Sequence, residues 1–224
     1  MGESLPLSEF LDSKRDYSPF LVHLTRDPLD AFGNPIVDAK DVLDCILKER
    51  TLKASNTFCI FNRDLEKAPR SFKEKFNVVC FTETPIDQIG LLLREVYGRD
   101  VVFKPYGVVF RKDYIRQHEG NPVFYMAGKL ASPLWKLYNE AKNTECSEGE
   151  NKLLALMNKC DESVDFHWER EWRIVGDLKF KLNDVYCCLC PEEDVSYFET
   201  RYREVKFMSP YWGINKILDN FMQK

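Results

Sequence analysis

The chain has 224 residues, 44% of them hydrophobic and 13% aromatic, which is enough to bury a sizeable core and excludes a disordered or fibrous protein. Thirty-two basic residues stand against thirty-six acidic ones. That mildly acidic balance removes the global signature of a nucleic-acid binder.

Residues 1–19 form an arm with a short helix expected at Leu7–Leu11, and they lack the basic-then-apolar pattern of a secretory signal. Met1-Gly2 resembles a myristoylation start, but Pro6 stands where Ser or Thr is needed. No apolar run approaches the roughly 18 residues that cross a bilayer, so no membrane role and a cytoplasmic location are expected. A strand is predicted at Pro19–Thr25, then turns around Asp27-Pro28 and Gly33-Asn34-Pro35. The spacing of Val42, Leu43, Ile46 and Leu47 predicts a helix over Asp38–Glu49 with Asp38 as its N-cap. Thr51–Ser55 is a short extended piece, and the charged stretch Asn62–Lys75 is expected to be a surface loop. Val78–Phe81 has the apolar run of a buried strand, after which Thr84 caps a helix beginning at Pro85 and reaching Val96.

Strands are expected at Tyr106–Phe110 and Pro122–Met126, and a helix over much of Leu130–Lys142. The polar turn 143–149 leads to a helix ending near Cys160. Strands at Glu169–Val175, Val185–Cys190 and Val205–Met208 follow, and a helix over Gly213–Met222 closes the chain. Without a repeat or a visible linker, residues 20–224 are expected to form a single α/β (α+β) domain. Its mixed central sheet should be split or strongly curved and flanked by helices.

Eight cysteines invite disulfides in a secreted chain, but Cys80 and the run Cys187-Cys188-Leu189-Cys190 lie in apolar strands and are expected to stay reduced. Cys187 and Cys190 have the spacing of half a zinc ribbon with no second half to complete it, so no metal is assigned there.

Five phrases in order carry a family resemblance: Leu21–Thr25, Val79–Pro85, Pro105–Phe110, Asn121–Tyr125 and Trp168–Arg173. Together they resemble the AbiGi proteins of bacterial abortive-infection (antiphage) systems, a family that includes antitoxins. The resemblance implies a partner toxin or antitoxin. More distantly, His23-Leu24-Thr25 followed by Val42-Leu43-Asp44-Cys45-Ile46-Leu47 is similar to the start of ADP-ribosyltransferase-fold enzymes such as DarT-like toxins. That likeness implies NAD as cofactor, a protein or nucleic-acid acceptor, and a catalytic Glu at the start of a central strand.

Cleaving the nicotinamide–ribose bond develops positive charge on the sugar, which a rigidly held carboxylate stabilises. Glu171 suits that role, and Glu169 would share its face in an extended strand. His23 and Thr25 are the candidates to orient NAD, with Tyr106 or Tyr125 stacking on nicotinamide. Thr82 and Glu83 are kept as residues of the site's edge. The competing reading of Glu169 and Glu171 is a structural ion-pair network with Arg170 and Arg173, and that of His23, Tyr106 and Tyr125 is a place in the core. Three functions therefore stand: an ADP-ribosyltransferase-like effector, a non-catalytic antitoxin or regulator that binds and neutralises a partner toxin, and a sensor of a phage component that retains a relic nucleotide cleft. The first requires His23, Glu171 and an aromatic ring to converge; the second requires an exposed apolar patch.

Overall fold

Eleven strands and nine helices are seen among the described residues, giving a mixed α/β architecture. The strands are β1 (Phe20–Leu24), β2 (Thr51–Leu52), β3 (Val78–Thr82), β4 (Gly107–Arg111), β5 (Asn121–Pro122), β6 (Phe124–Ala127), β7 (Met157–Cys160), β8 (Glu171–Val175), β9 (Leu178–Lys179), β10 (Val185–Leu189) and β11 (Phe207–Met208). The helices are α1 (Ala39–Glu49), α2 (Asn62–Leu65), α3 (Arg70–Lys73), α4 (Ile89–Leu92), α5 (Lys112–Gln117), α6 (Ser132–Asn143), α7 (Glu148–Ala155), α8 (Glu192–Arg201) and α9 (Ile214–Met222). The computed structural model describes residues 16–28, 32, 35–55, 58–94, 101–127, 132–143, 148–160 and 165–222. The helix expected at Leu7–Leu11, the turn at Asn34 and the helix end at Val96 lie outside them.

Two compact units share the chain. One takes the residues up to Asp44, Glu83–Lys112 and Leu182 onward; the other takes Cys45–Thr82 and Asp113–Lys181. The backbone passes from one to the other at four points, so no stretch of sequence serves as a linker between them.

In the first unit the strands lie in the order β11-β10-β4-β1. β4 runs antiparallel to both β1 and β10, with His23 opposite Val108, and β11 is parallel to β10. β4 is buried along Gly107–Phe110, so both of its faces are covered there. Gly107 lets the backbones approach there, because a Cβ at this position would stand 2.6 Å from the His23 carbonyl oxygen. Val22, Leu24, Ile89, Val109, Cys187, Leu189 and Met208 form its core. α1 begins as the sequence predicts: the Asp38 carboxylate accepts the Lys40 backbone N–H at 2.7 Å, and Asp27 accepts that of Ala39 at 3.0 Å.

The second unit orders its strands β3-β8-β5, all antiparallel, with separate pairs β6–β7 (parallel) and β2–β9 (antiparallel). Its core gathers Phe61, Leu65, Phe72, Phe76, Tyr138 and Leu154. Phe61 stacks on Tyr138 with ring centroids 4.5 Å apart. Residues 62–75, expected as a surface loop, instead form α2, α3 and a 3-10 turn at Glu74–Phe76. Their charges face water while Leu65, Phe72 and Phe76 are buried, a helical spacing concealed by the surrounding Lys and Glu residues.

Three further expectations need correction. Pro85, not Thr84, immediately precedes the turn Ile86–Gln88, and no side chain caps it. The helix expected to reach Cys160 ends at Ala155, and Met157–Cys160 is a strand. Glu169 is not on β8: it closes a 3-10 turn, and Arg170, at φ 47°, turns the chain before Glu171 opens the strand.

Candidate functional site

β8 carries the residue types that sequence reasoning singled out, so its surroundings come first. Glu171 and Arg173 lie two residues apart on one face of the strand. The Arg173 guanidinium donates from Nε to Glu171 Oε1 and from Nη2 to Oε2, both at 2.9 Å, a bidentate fork. Its third edge, Nη1, donates to the Ala155 carbonyl at 3.0 Å. Tyr125 adds its phenol O–H to Glu171 Oε2 at 3.0 Å. Arg173 is 1% exposed, which makes this a buried charge satisfied on all sides. Burial opposes the charge on Arg173, but the Glu171 carboxylate more than offsets it and holds the guanidinium above its ordinary range. Burial first, then Glu171, pushes the Tyr125 phenol well up, and the same two causes raise the Cys80 thiol opposite Arg173 on β3. Both oxygens of Glu171 are thus engaged by protein donors. Glu169 contributes its backbone carbonyl, which accepts the Thr82 hydroxyl at 2.6 Å.

The remaining candidates belong to the first unit. His23 is half-buried on β1. Thr25 is buried just past β1, and its backbone N–H and hydroxyl both donate to the Tyr106 carbonyl, at 2.8 and 3.1 Å. Thr25 and Tyr106 are therefore brought together, through the backbone of Tyr106. The Tyr106 phenol points elsewhere, donating to Asp194 Oδ2 at 2.7 Å. Lys40 donates to Asp194 Oδ1 at 2.5 Å and lies over the Tyr197 ring at 4.5 Å. On Asp194 burial pushes the carboxyl up, but the bonds from Lys40 and Tyr106 outweigh it and leave it below the usual carboxylate range. Tyr125 and Glu171 are likewise joined, while Tyr106 and Tyr125 occupy different units. Asp194 and Lys40 were missed by sequence reasoning; the acidic first turn of α8 is the signal that might have drawn attention there.

Cys187 and Cys190 are fully buried at β10. Burial, with Asp194 and Glu199 adding to it, pushes the Cys190 thiol up to about 12, and burial alone raises Cys187. Thiols so hard to ionise are poor nucleophiles.

A different kind of feature stands at the surface of the first unit. α9 carries two apolar stripes: Ile217 and Phe221 pack against the core cluster, whereas Ile214 and Leu218 are 55% and 47% exposed. Leu91 (55%) and Tyr211 (65%) are also exposed and line a groove of ≈ 400 Å³. Ile214 and Leu218 line a second groove, and Asp87 borders both.

Residues 61–211 match the family model described as abortive phage resistance protein AbiGi, antitoxin. The chain belongs to the AbiGi family. The match covers Tyr106, Tyr125, Glu171, Arg173, Asp194 and Tyr211, and four of the five phrases that carried the resemblance; Leu21–Thr25 precedes it. This AbiGi protein matches no curated protein and no solved structure. No helix among its described residues is long and apolar enough to cross a membrane.

Proposed function

We propose that this AbiGi protein acts as an antitoxin, neutralising a partner toxin by binding it across the surface formed by Leu91, Tyr211, Ile214 and Leu218. The observation that carries the reading is the second stripe of α9. Side chains of this size, about half exposed, are the kind that fill the apolar core of a protein interface. The family description names an antitoxin, and an abortive-infection role agrees with it. The NAD-dependent alternative needs a carboxylate available to a sugar, and Glu171 already accepts three hydrogen bonds from Arg173 and Tyr125.

The test is co-expression of the chain with its partner toxin, reading growth rescue and co-purification. Leu218→Asp and Tyr211→Ala should abolish both while leaving the circular dichroism spectrum of the chain unchanged. Full rescue by both variants would overturn the reading. Calorimetric titration with NAD, repeated with His23→Ala and Glu171→Gln, addresses the alternative: NAD turnover by the wild type, lost in a folded Glu171→Gln protein, would replace the antitoxin reading with the transferase one.

A further inference from the structure

β7 ends at Cys160, and Asp165 leads into the turn that begins at His167. The ligating atoms of Cys160, Asp165 and His167 all lie within 4.8 Å of one another. No Cys-x-x-Cys or His-x-x-x-His pattern announces this group. We infer that these three side chains bind a single zinc-class divalent cation, leaving a fourth position for water.

The donor set selects the metal. A thiolate, an imidazole and a carboxylate are the ligands of zinc, whereas magnesium and calcium prefer oxygen alone. Bonds of about 2.0–2.3 Å in tetrahedral geometry place neighbouring ligand atoms roughly 3.3–3.6 Å apart. The Asp165–His167 pair, 2.8 Å apart, has to open by about half an ångström and the longer separations to close by about an ångström, changes that side-chain rotation supplies. Asp165 and His167 have room for it, because their side chains are 64% and 56% exposed.

The ligands are also held ready. Asp165 Oδ1 accepts the His167 backbone N–H at 3.0 Å and lies 2.8 Å from His167 Nδ1. Those two contacts hold the carboxylate beside the ring. The His167 ring packs on Tyr125 at 4.8 Å between centroids, and Tyr125 is tied in turn to Glu171. The ring contact restricts the positions open to the imidazole. A cation entering the cluster binds Asp165 and His167 in place of their mutual contact, any proton held there passing to solvent, and the Cys160 thiol likewise releases its proton to solvent as the metal–sulfur bond forms.

Cobalt(II) titration of the full chain under reducing conditions tests the site. One equivalent should produce a thiolate-to-cobalt charge-transfer band that zinc then displaces. Cys160→Ser should remove the band. His167→Ala and Asp165→Ala should each weaken cobalt binding at least about a hundredfold, beyond the ~10–100-fold that loss of an outer-shell partner brings. Cys45→Ser, on the exposed side of α1, should change nothing. Circular dichroism establishes that each variant is folded. No cobalt uptake by the folded wild type, a band that survives Cys160→Ser, or binding indifferent to His167→Ala would each overturn the assignment.

Discussion

Lys112 donates from Nζ to Glu83 Oε1 at 2.6 Å although only 3% of the lysine side chain reaches water. The ammonium also lies 3.7 Å from the centroid of the Tyr17 ring. Glu83 follows β3 and Lys112 follows β4, so the pair fastens two segments of the first unit that are 29 residues apart. Removing one member of a buried pair leaves the other charge desolvated, which costs about 3–5 kcal/mol. Glu83→Ala should lower unfolding stability in urea by that order. The double variant Glu83→Leu with Lys112→Met should recover most of the loss, because no buried charge then remains.

The β8 fork gives a second prediction. Glu171→Gln withdraws the counter-charge from a buried guanidinium and should destabilise by about 3–5 kcal/mol. Tyr125→Phe deletes a single hydrogen bond to a charged group and should cost roughly 1.5–3 kcal/mol. Denaturant midpoints of the two variants, measured side by side, check the ranking. A Glu171→Gln protein as stable as wild type would free Glu171 for a role outside the fold.

Acid stability should depend on Asp194. Its folded carboxyl titrates below the unfolded value, so its contribution is present above about pH 3.9 and disappears as pH falls through the folded pKa. Lys40 titrates above its unfolded value, so its share is complete below about pH 10.4 and is lost at more alkaline pH. Lys40→Met should therefore move the acid-unfolding midpoint to higher pH. Fluorescence monitored across an acid titration reads the shift directly, and an unmoved midpoint would remove the pair from the explanation.

Gly107→Ala should destabilise the first unit by more than about 1 kcal/mol, as overpacking between two backbones does. Gly149→Ala, where a Cβ meets nothing within 4 Å on the exposed surface of α7, should be neutral or slightly stabilising. A thermal melt of both variants separates the two effects.

Local signals made much of the fold legible. The amphipathic spacing of α1, the Asp38 cap and the apolar runs of β3 and β10 appear where the sequence predicts them, and β4 and α9 fall within a residue of their expected ranges. α8 was passed over because its first turn is three acids and only Phe198 is fully buried on it. Partners distant in sequence were not legible. Tyr125 and Glu171 were each singled out, yet for separate roles; the hydrogen bond that joins them spans 46 residues and depends on how β6 and β8 are folded. The Tyr106–Asp194 bond spans 88 residues. The alternation rule that placed Glu169 beside Glu171 failed because Arg170 leaves the extended conformation.

The fourfold passage of the backbone between the two units also sets an order of synthesis. The second unit is complete once Lys181 has left the ribosome, whereas the first waits for β10, β11 and α9. Until then β1 and β4 lack the strand that covers the free edge of β4, and an uncovered edge invites pairing with another chain. A chain interrupted before β10 would thus expose an edge of β4 that pairs readily with other molecules, so the first unit is protected only once residues from Leu182 onward are in place.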